Sequence, residues 1–334
     1  MGLQNSRSRN SFHPGNLGLK AIGIVETGMI APYWWLNERL DIGKASRLGS
    51  HFGRVARLGQ RSRVLTAMTN VLGPDGFARA GGNMLWNEYV HAVGRIMAEC
   101  MCMTTMRSDE LRSLITLEGK EYLNEAAASP QETILFIGHI GNIGSILAAL
   151  VLNGLKITVA RNALPLPFME RKIARTFRMH GVNMILLGSP GQSNSPSLQF
   201  PEGTLTTFID DAVNPGHTSW FNFGHAQIRA SIGPGLLAVR KHSRVLCVTS
   251  TRVEGNHYTV TVHPPLYTEY TGDYHRDAHG VIQLGMTLLG NEVQRSPAEW
   301  LNWNYAQIRT TAAEKHDDPR FREIHEKLPD RVFS

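Results

Sequence analysis

At 334 residues and 42% hydrophobic, the chain can bury a large core, as one big domain or as a domain with an N-terminal addition. Three cysteines without metal-ligand spacing (Cys100, Cys102, Cys247) exclude a disulfide framework and predict a reducing, cytoplasmic setting. No run approaches the ~18 apolar residues needed to span a bilayer: the best stretch, residues 17–36, is interrupted by Lys20 and Glu26, and no signal peptide is evident. The net charge of +6 is uneven, because residues 1–65 carry ten Lys/Arg against three acids. Such a segment suits lipid headgroups, an acidic carrier protein or RNA, and equally a merely solvated basic face.

In chain order, residues 1–16 are polar and predict a disordered lead. Residues 17–112 read as a basic helical region. Its Tyr33-Trp34-Trp35 cluster, near Lys20 and Arg39, fits a membrane interface or a domain contact equally well. Helical pattern covers 64–106 with a break at Gly73-Pro74-Asp75-Gly76, and Cys100-Met101-Cys102 reads as a buried helix face. Ser108 is the expected N-cap of the next helix, with Asp109 and Glu110 in its first turn. Residues 113–310 then alternate. Strands are predicted over 133–137, 156–161, 183–187, 205–209, 220–223, 244–249 and 258–263. Helices are predicted over 143–152, 168–180, 233–241 and 281–294. Residues 189–203, rich in Ser, Pro and Gly, read as a long loop, and 311–334 as a tail. The alternation predicts an α/β domain, a mostly parallel central sheet flanked by helices, with a helical N-terminal extension.

The most informative stretch is residues 131–150: a buried strand, the turn Gly138-His139-Ile140-Gly141-Asn142, then an apolar helix. His139 is thereby expected just beyond a strand's carboxyl end, beside the free N–H groups of a helix start. It is either a base with anion-donating amides beside it or a half-exposed turn histidine. Arg161 and Asp210 also follow strands, and in open α/β sheets ligands bind at such ends. A base, an anion clamp and an orienting carboxylate are one use of these three. Arg171, Arg175 and Arg178 share a helix face, which is either a phosphate-binding or a solvated face. His225, in the Phe223-Gly224-His225 turn, is a second candidate. Gly138, Gly141 and Gly144 recur every third residue, which is the wrong spacing for a dinucleotide fingerprint, and no nucleophile elbow, phosphate loop or zinc motif is present.

Several ordered pieces resemble the lipid A biosynthesis (lauroyl/myristoyl) acyltransferase family of the lysophospholipid acyltransferase superfamily. They are Leu117-Glu118-Gly119 with Tyr122-Leu123, Gly138 to Ile143, Val159 to Asn162, and Ile209-Asp210-Asp211. Further on come Phe223-Gly224 with Gly233-Pro234, Pro264-Pro265-Leu266, and Ser296 to Trp303. The resemblance implies transfer of an acyl group from acyl carrier protein, acyl-coenzyme A or, by the same ester chemistry, charged tRNA. It requires no cofactor or metal. His139 would be the base, Gly141, Asn142 and Ser145 would contact substrate or oxyanion, and Arg161, Arg175 and Arg178 would hold phosphate. Asp210 and Asp211 would orient His139 or an arginine, and His225 would line the site. The basic N-terminal region would dock the anionic carrier, with peripheral contact to an anionic membrane at its inner face. The family pairs its histidine with Glu or Asp five positions on, and here Gly144 stands at that position. The departure implies an amine or hydroxyl acceptor other than lipid A, small or lipid-like. The other reading is an inactive relative that binds lipid or a partner protein.

Overall fold

The computed structural model describes residues 26–56, 59–164, 166–187, 204–209, 218–267, 270–304 and 306–310. The predicted lead, loop and tail, and Asp210 and Asp211, lie outside the described residues. The described residues begin with a single π-helical turn (Glu26–Ile30), followed by α1 (Ala31–Asn37), α2 (Ile42–Ala56), α3 (Arg61–Arg79) and α4 (Leu85–Met103). The break expected at Gly73-Pro74 is a kink within α3, with Gly73 at φ 70°. Among the described residues, no helix is long and apolar enough to cross a membrane. Helices α2 and α4 cross at backbone contact: a Cβ on Gly94 would stand 1.9 Å from the Gly49 carbonyl oxygen, and one on Gly53 1.9 Å from that of Val90. Only residues without a side chain permit that approach.

Next come α5 (Ser108–Leu114), β1 (Ile115–Glu118), α6 (Lys120–Ala128), β2 (Thr133–Ile137), α7 (Ile143–Leu152), β3 (Ile157–Asn162), α8 (Pro167–Met179) and β4 (Asn183–Leu187). They are followed by β5 (Leu205–Ile209), β6 (Thr218–Phe223), β7 (Ala226–Ser231), α9 (Gly233–Lys241), β8 (Arg244–Arg252), β9 (Tyr258–Val262), α10 (Tyr274–Arg295) and β10 (Gln307–Thr310). The seven-stranded sheet has the order β1-β9-β8-β2-β5-β3-β4. Strands β8, β2, β5, β3 and β4 run parallel, while β9 pairs antiparallel with β8 and carries β1 beside it. The expectation of a mostly parallel sheet flanked by helices holds. Ser108 is the first residue of α5 rather than its cap; Arg107 is the cap, and its N–H donates to the Glu110 carboxylate.

Strand β2 is central and buried along its whole length. Ile134 and Phe136 face a core built with α3, α4, α9 and α10, whereas Leu135 and Ile137 face α6 and α7. Two-sided burial explains its unbroken apolar run, and each such side chain contributes about 1.5–3 kcal/mol. Ile137 lies level with Ile209 of β5 and Val248 of β8, so β2 and β5 end together where the turn to α7 begins, while β8 runs on to Arg252 beside β9. A second sheet, β10-β7-β6, is antiparallel and packs on α3 and α10. It was only partly foreseen, since β7 and β10 are short strands defined by their partners.

Directly after β9, the buried side of His263 accepts or donates at Thr249 Oγ1 (3.0 Å), and burial lowers the affinity of the ring for a proton, with Arg295 adding to this. The folded state therefore binds that proton less readily than the unfolded state. The stability it costs is absent above the ordinary value of 6.5 and grows as pH falls below it. The melting temperature is expected to fall more steeply between about pH 6.5 and 5 in wild type than in His263→Gln. Parallel melting curves against pH would show that this ring does not contribute.

Candidate active site

The turn after β2 is held by its own residues. Asn142 adopts an extended conformation as N-cap of α7, and its Oδ1 accepts from the Ser145 N–H (3.3 Å). Gly141 has φ +62°, and a Cβ there would lie 1.9 Å from the Ser250 carbonyl oxygen of β8. A second hold comes from the segment after α10. The Gly141 N–H donates to the Glu299 carbonyl (3.1 Å), the Leu301 N–H donates to the His139 carbonyl (2.8 Å), and Ile140 bridges antiparallel to Trp300. Trp300 and Trp303 are buried and pack edge to face, with Trp300 also against Phe223.

That segment brings Asn302, 6% exposed, to the half-buried His139 ring, with the carboxamide nitrogen 3.0 Å from Nδ1. An amide of this shape holds Nδ1 in either of two ways. With nitrogen inward it donates to Nδ1 and leaves the proton on Nε2. With oxygen inward it accepts from Nδ1–H and leaves Nε2 bare as a base. Histidine oriented by asparagine is one of the recurring forms of the nucleophile-base-orienter arrangement. Local reading missed Asn302. The only signal was a polar residue set between two tryptophans of the C-terminal motif.

Gly144 lies in the first turn of α7, and the space beside it is filled. A Cβ there would come 3.0 Å from Asn142 Oδ1 and 3.2 Å from Cys100 Sγ. The Cys100 thiol donates to Asn142 Oδ1 (2.8 Å), and burial pushes its pKa up to about 12. It is therefore a neutral donor at pH 7 rather than a nucleophile. A thiol from α4 occupies the room that an acidic side chain at this position would need.

The other residues expected at the site have these positions. Ser145 is buried, its hydroxyl donating to the Asn142 carbonyl (2.6 Å) and lying 2.7 Å from Ser250 Oγ. Gly141, Asn142 and Ser145 thus spend these groups on the turn itself. Arg161 is the next-to-last residue of β3, and its guanidinium meets Glu170 of α8 in a two-pronged pair (2.7 and 2.8 Å). The hydrogen bonds from Arg161 hold the Glu170 carboxyl below its usual range, so the arginine's charge is matched before any ligand arrives. Arg171, Arg175 and Arg178 are exposed on α8, while Lys172 turns to Glu38 at the end of α1 (2.8 Å). His225 belongs to the β6–β7 turn of the second sheet, its N–H on the Val71 carbonyl (2.8 Å) and its ring against Gly73. The structure joins it to the α3 kink rather than to the end of β2.

A buried polar cluster went unforeseen. Glu99 of α4, with no exposure, accepts from Arg252 at the end of β8 and from the Tyr258 hydroxyl of β9. Burial raises the affinity of the Tyr258 phenol for its proton, and the Glu99 charge adds to this. Arg95, one turn earlier on α4, pairs with Glu299 (3.2 Å), and burial pushes the Glu299 carboxyl up against the pull of Arg252 and Arg95.

No curated protein sequence matches the chain at a significant level. Residues 22–307, most of the chain and including the turn, its histidine and the segment that holds both, match the family described as bacterial lipid A biosynthesis acyltransferase. The chain belongs to that family.

Proposed function

We propose that this member transfers an acyl group, aminoacyl included, from an activated carrier to an amine or hydroxyl acceptor other than lipid A, with His139 as the base. The observation that carries the reading is the Asn302 carboxamide on His139 Nδ1 at the end of β2. With the amide oxygen inward, Nε2 takes the proton of the attacking group as its lone pair bonds to the acyl carbonyl carbon. The tetrahedral intermediate then expels the carrier's thiolate or ribose oxygen, which takes the proton back from Nε2. A neutral carboxamide stabilises the intervening imidazolium less than a carboxylate does. That favours an amine acceptor, which attacks through its own lone pair and needs less help from the base.

Donor docking is assigned to the exposed cations Lys44, Arg47 and Arg54 of α2 and Arg61 and Arg63 of α3. Exposed Trp35, with Arg39 3.9 Å over its ring, and exposed Leu36 suit the same carrier or an anionic bilayer surface. Asp210 and Asp211 are proposed to complete the site from the end of β5, and Arg175 and Arg178 to meet donor phosphate.

The test is a screen of acyl carrier protein, acyl-coenzyme A and aminoacyl-tRNA donors against amine and hydroxyl acceptors. His139→Ala is expected to reduce transfer by about 10²- to 10⁴-fold while donor binding persists. If no donor gives transfer that depends on His139, the enzyme reading fails, and a binding role for the scaffold takes its place.

A further inference from the structure

The segment 299–302 is already fastened by apolar packing, since Trp300 and Trp303 are buried. A charge cluster beside it is then a costly addition, because each buried ion forfeits several kcal/mol of hydration. Yet Glu299 reaches Arg95 at 3.2 Å and lies 4.0 Å from the Nε of Arg252, whose other end donates to the fully buried Glu99. Apolar contact is non-directional. The single N–H···O bond from Arg95 to Glu299, by contrast, prefers one distance and one line of approach.

The residues that need an angle are the same ones. The Glu299 carbonyl accepts from Gly141, the Leu301 N–H holds the His139 carbonyl, and the Asn302 amide meets the ring. We infer that Glu299, gripped by Arg95 and backed by Arg252 on Glu99, is a positioning residue that sets the angle at which Asn302 meets His139, and so the ring tautomer. The inference rests on the reading of His139 as the base. Glu299 itself touches no reacting atom; it acts through Asn302.

The test uses the full chain labelled with ¹⁵N, the His139 ring nitrogens being assigned by their loss in His139→Ala. Wild type is expected to show one tautomer. Glu299→Ala is expected to average the two nitrogen shifts and to lower kcat about 10- to 100-fold with KM unchanged, the scale of a misplacement near 1 Å. Glu299→Gln, which keeps an acceptor of the same shape for Arg95, is expected to restore both. If Glu299→Ala does not fold, Arg95→Lys keeps the cation but not the reach and direction of the guanidinium N–H, and is expected to disturb the tautomer in the same direction. Unchanged ring shifts in the folded variant, or a glutamine that rescues nothing, overturn the inference. The two readings separate cleanly. Disturbed ring shifts in a chain that turns over no donor leave the positioning role standing and remove the acyltransfer reading. Turnover that depends on His139, with a ring indifferent to Glu299, does the reverse.

Discussion

Replacing Asn302 with alanine is expected to slow acyl transfer by about 10²- to 10⁴-fold, the range seen when a base histidine is held in the wrong tautomer or loses its orienting partner. On the proposed reading the carboxamide, 3.0 Å from Nδ1, sets which ring nitrogen carries the proton. Without it, Nε2 is protonated in part of the molecules and unavailable as a base. Asn302 is buried, so its loss also leaves neighbouring polar groups less satisfied, at about 1–3 kcal/mol. Melting must therefore be recorded beside single-turnover rates, to separate a misoriented ring from a loosened fold. Asn302→Asp is the companion variant. A carboxylate at this place supplies what Gly144 does not, and it favours the protonated ring. The acidic limb of its pH–rate profile is expected to move to higher pH, with hydroxyl acceptors gaining more than amines. A folded Asn302→Ala protein with the wild-type rate would remove Asn302 from the mechanism.

Gly141→Ala is expected to be the most damaging single methyl in the site. The position has φ +62°, where an L side chain is strained, and the new Cβ would stand 1.9 Å from the Ser250 carbonyl oxygen, a backbone atom of β8 that cannot swing aside. Relief requires the turn to move away from β8. That breaks the Gly141 bond to Glu299 and shifts His139 relative to Asn302. The cost is on the order of 3–5 kcal/mol, or roughly a 10 °C fall in melting temperature for a chain of this size. Gly154→Ala is the control. It also has positive φ (76°), but nothing stands within 4 Å of its Cβ, so it isolates the conformational strain, about 1 kcal/mol. Equal melting shifts for the two variants would show that contact with β8 is unimportant.

Much of the scaffold was legible. Strand β2 and helix α7 were read with their observed limits, because an unbroken β-branched run, a glycine turn and a ten-residue apolar helix each follow from local preference. Helix α10 begins at Tyr274 rather than at 281. Its cap, Asp273, accepts from His275 and Arg276 and stands in plain view in the chain, but the polar first turns hide the apolar period. Strands β1, β7 and β10 were missed for another reason. A sequence such as Gln307-Ile308-Arg309-Thr310 becomes a strand only because β7 lies beside it.

By itself, the sequence placed His139 directly beyond a strand and a glycine, Gly144, five positions on, where the family resemblance implies an acid. Both facts concern neighbours along the chain, for which backbone preference and side-chain pattern suffice. Only the tertiary structure decided what meets the ring, since Asn302 lies 163 residues away. It also decided that Arg161 is matched by Glu170, that Cys100 fills the space beside Gly144, and that Glu99 and Arg252 share a buried contact. These pairings follow from strand order and from how α4 and the segment after α10 pack on the sheet. Local preference does not encode that order, because it arises from burying both faces of β2 at once.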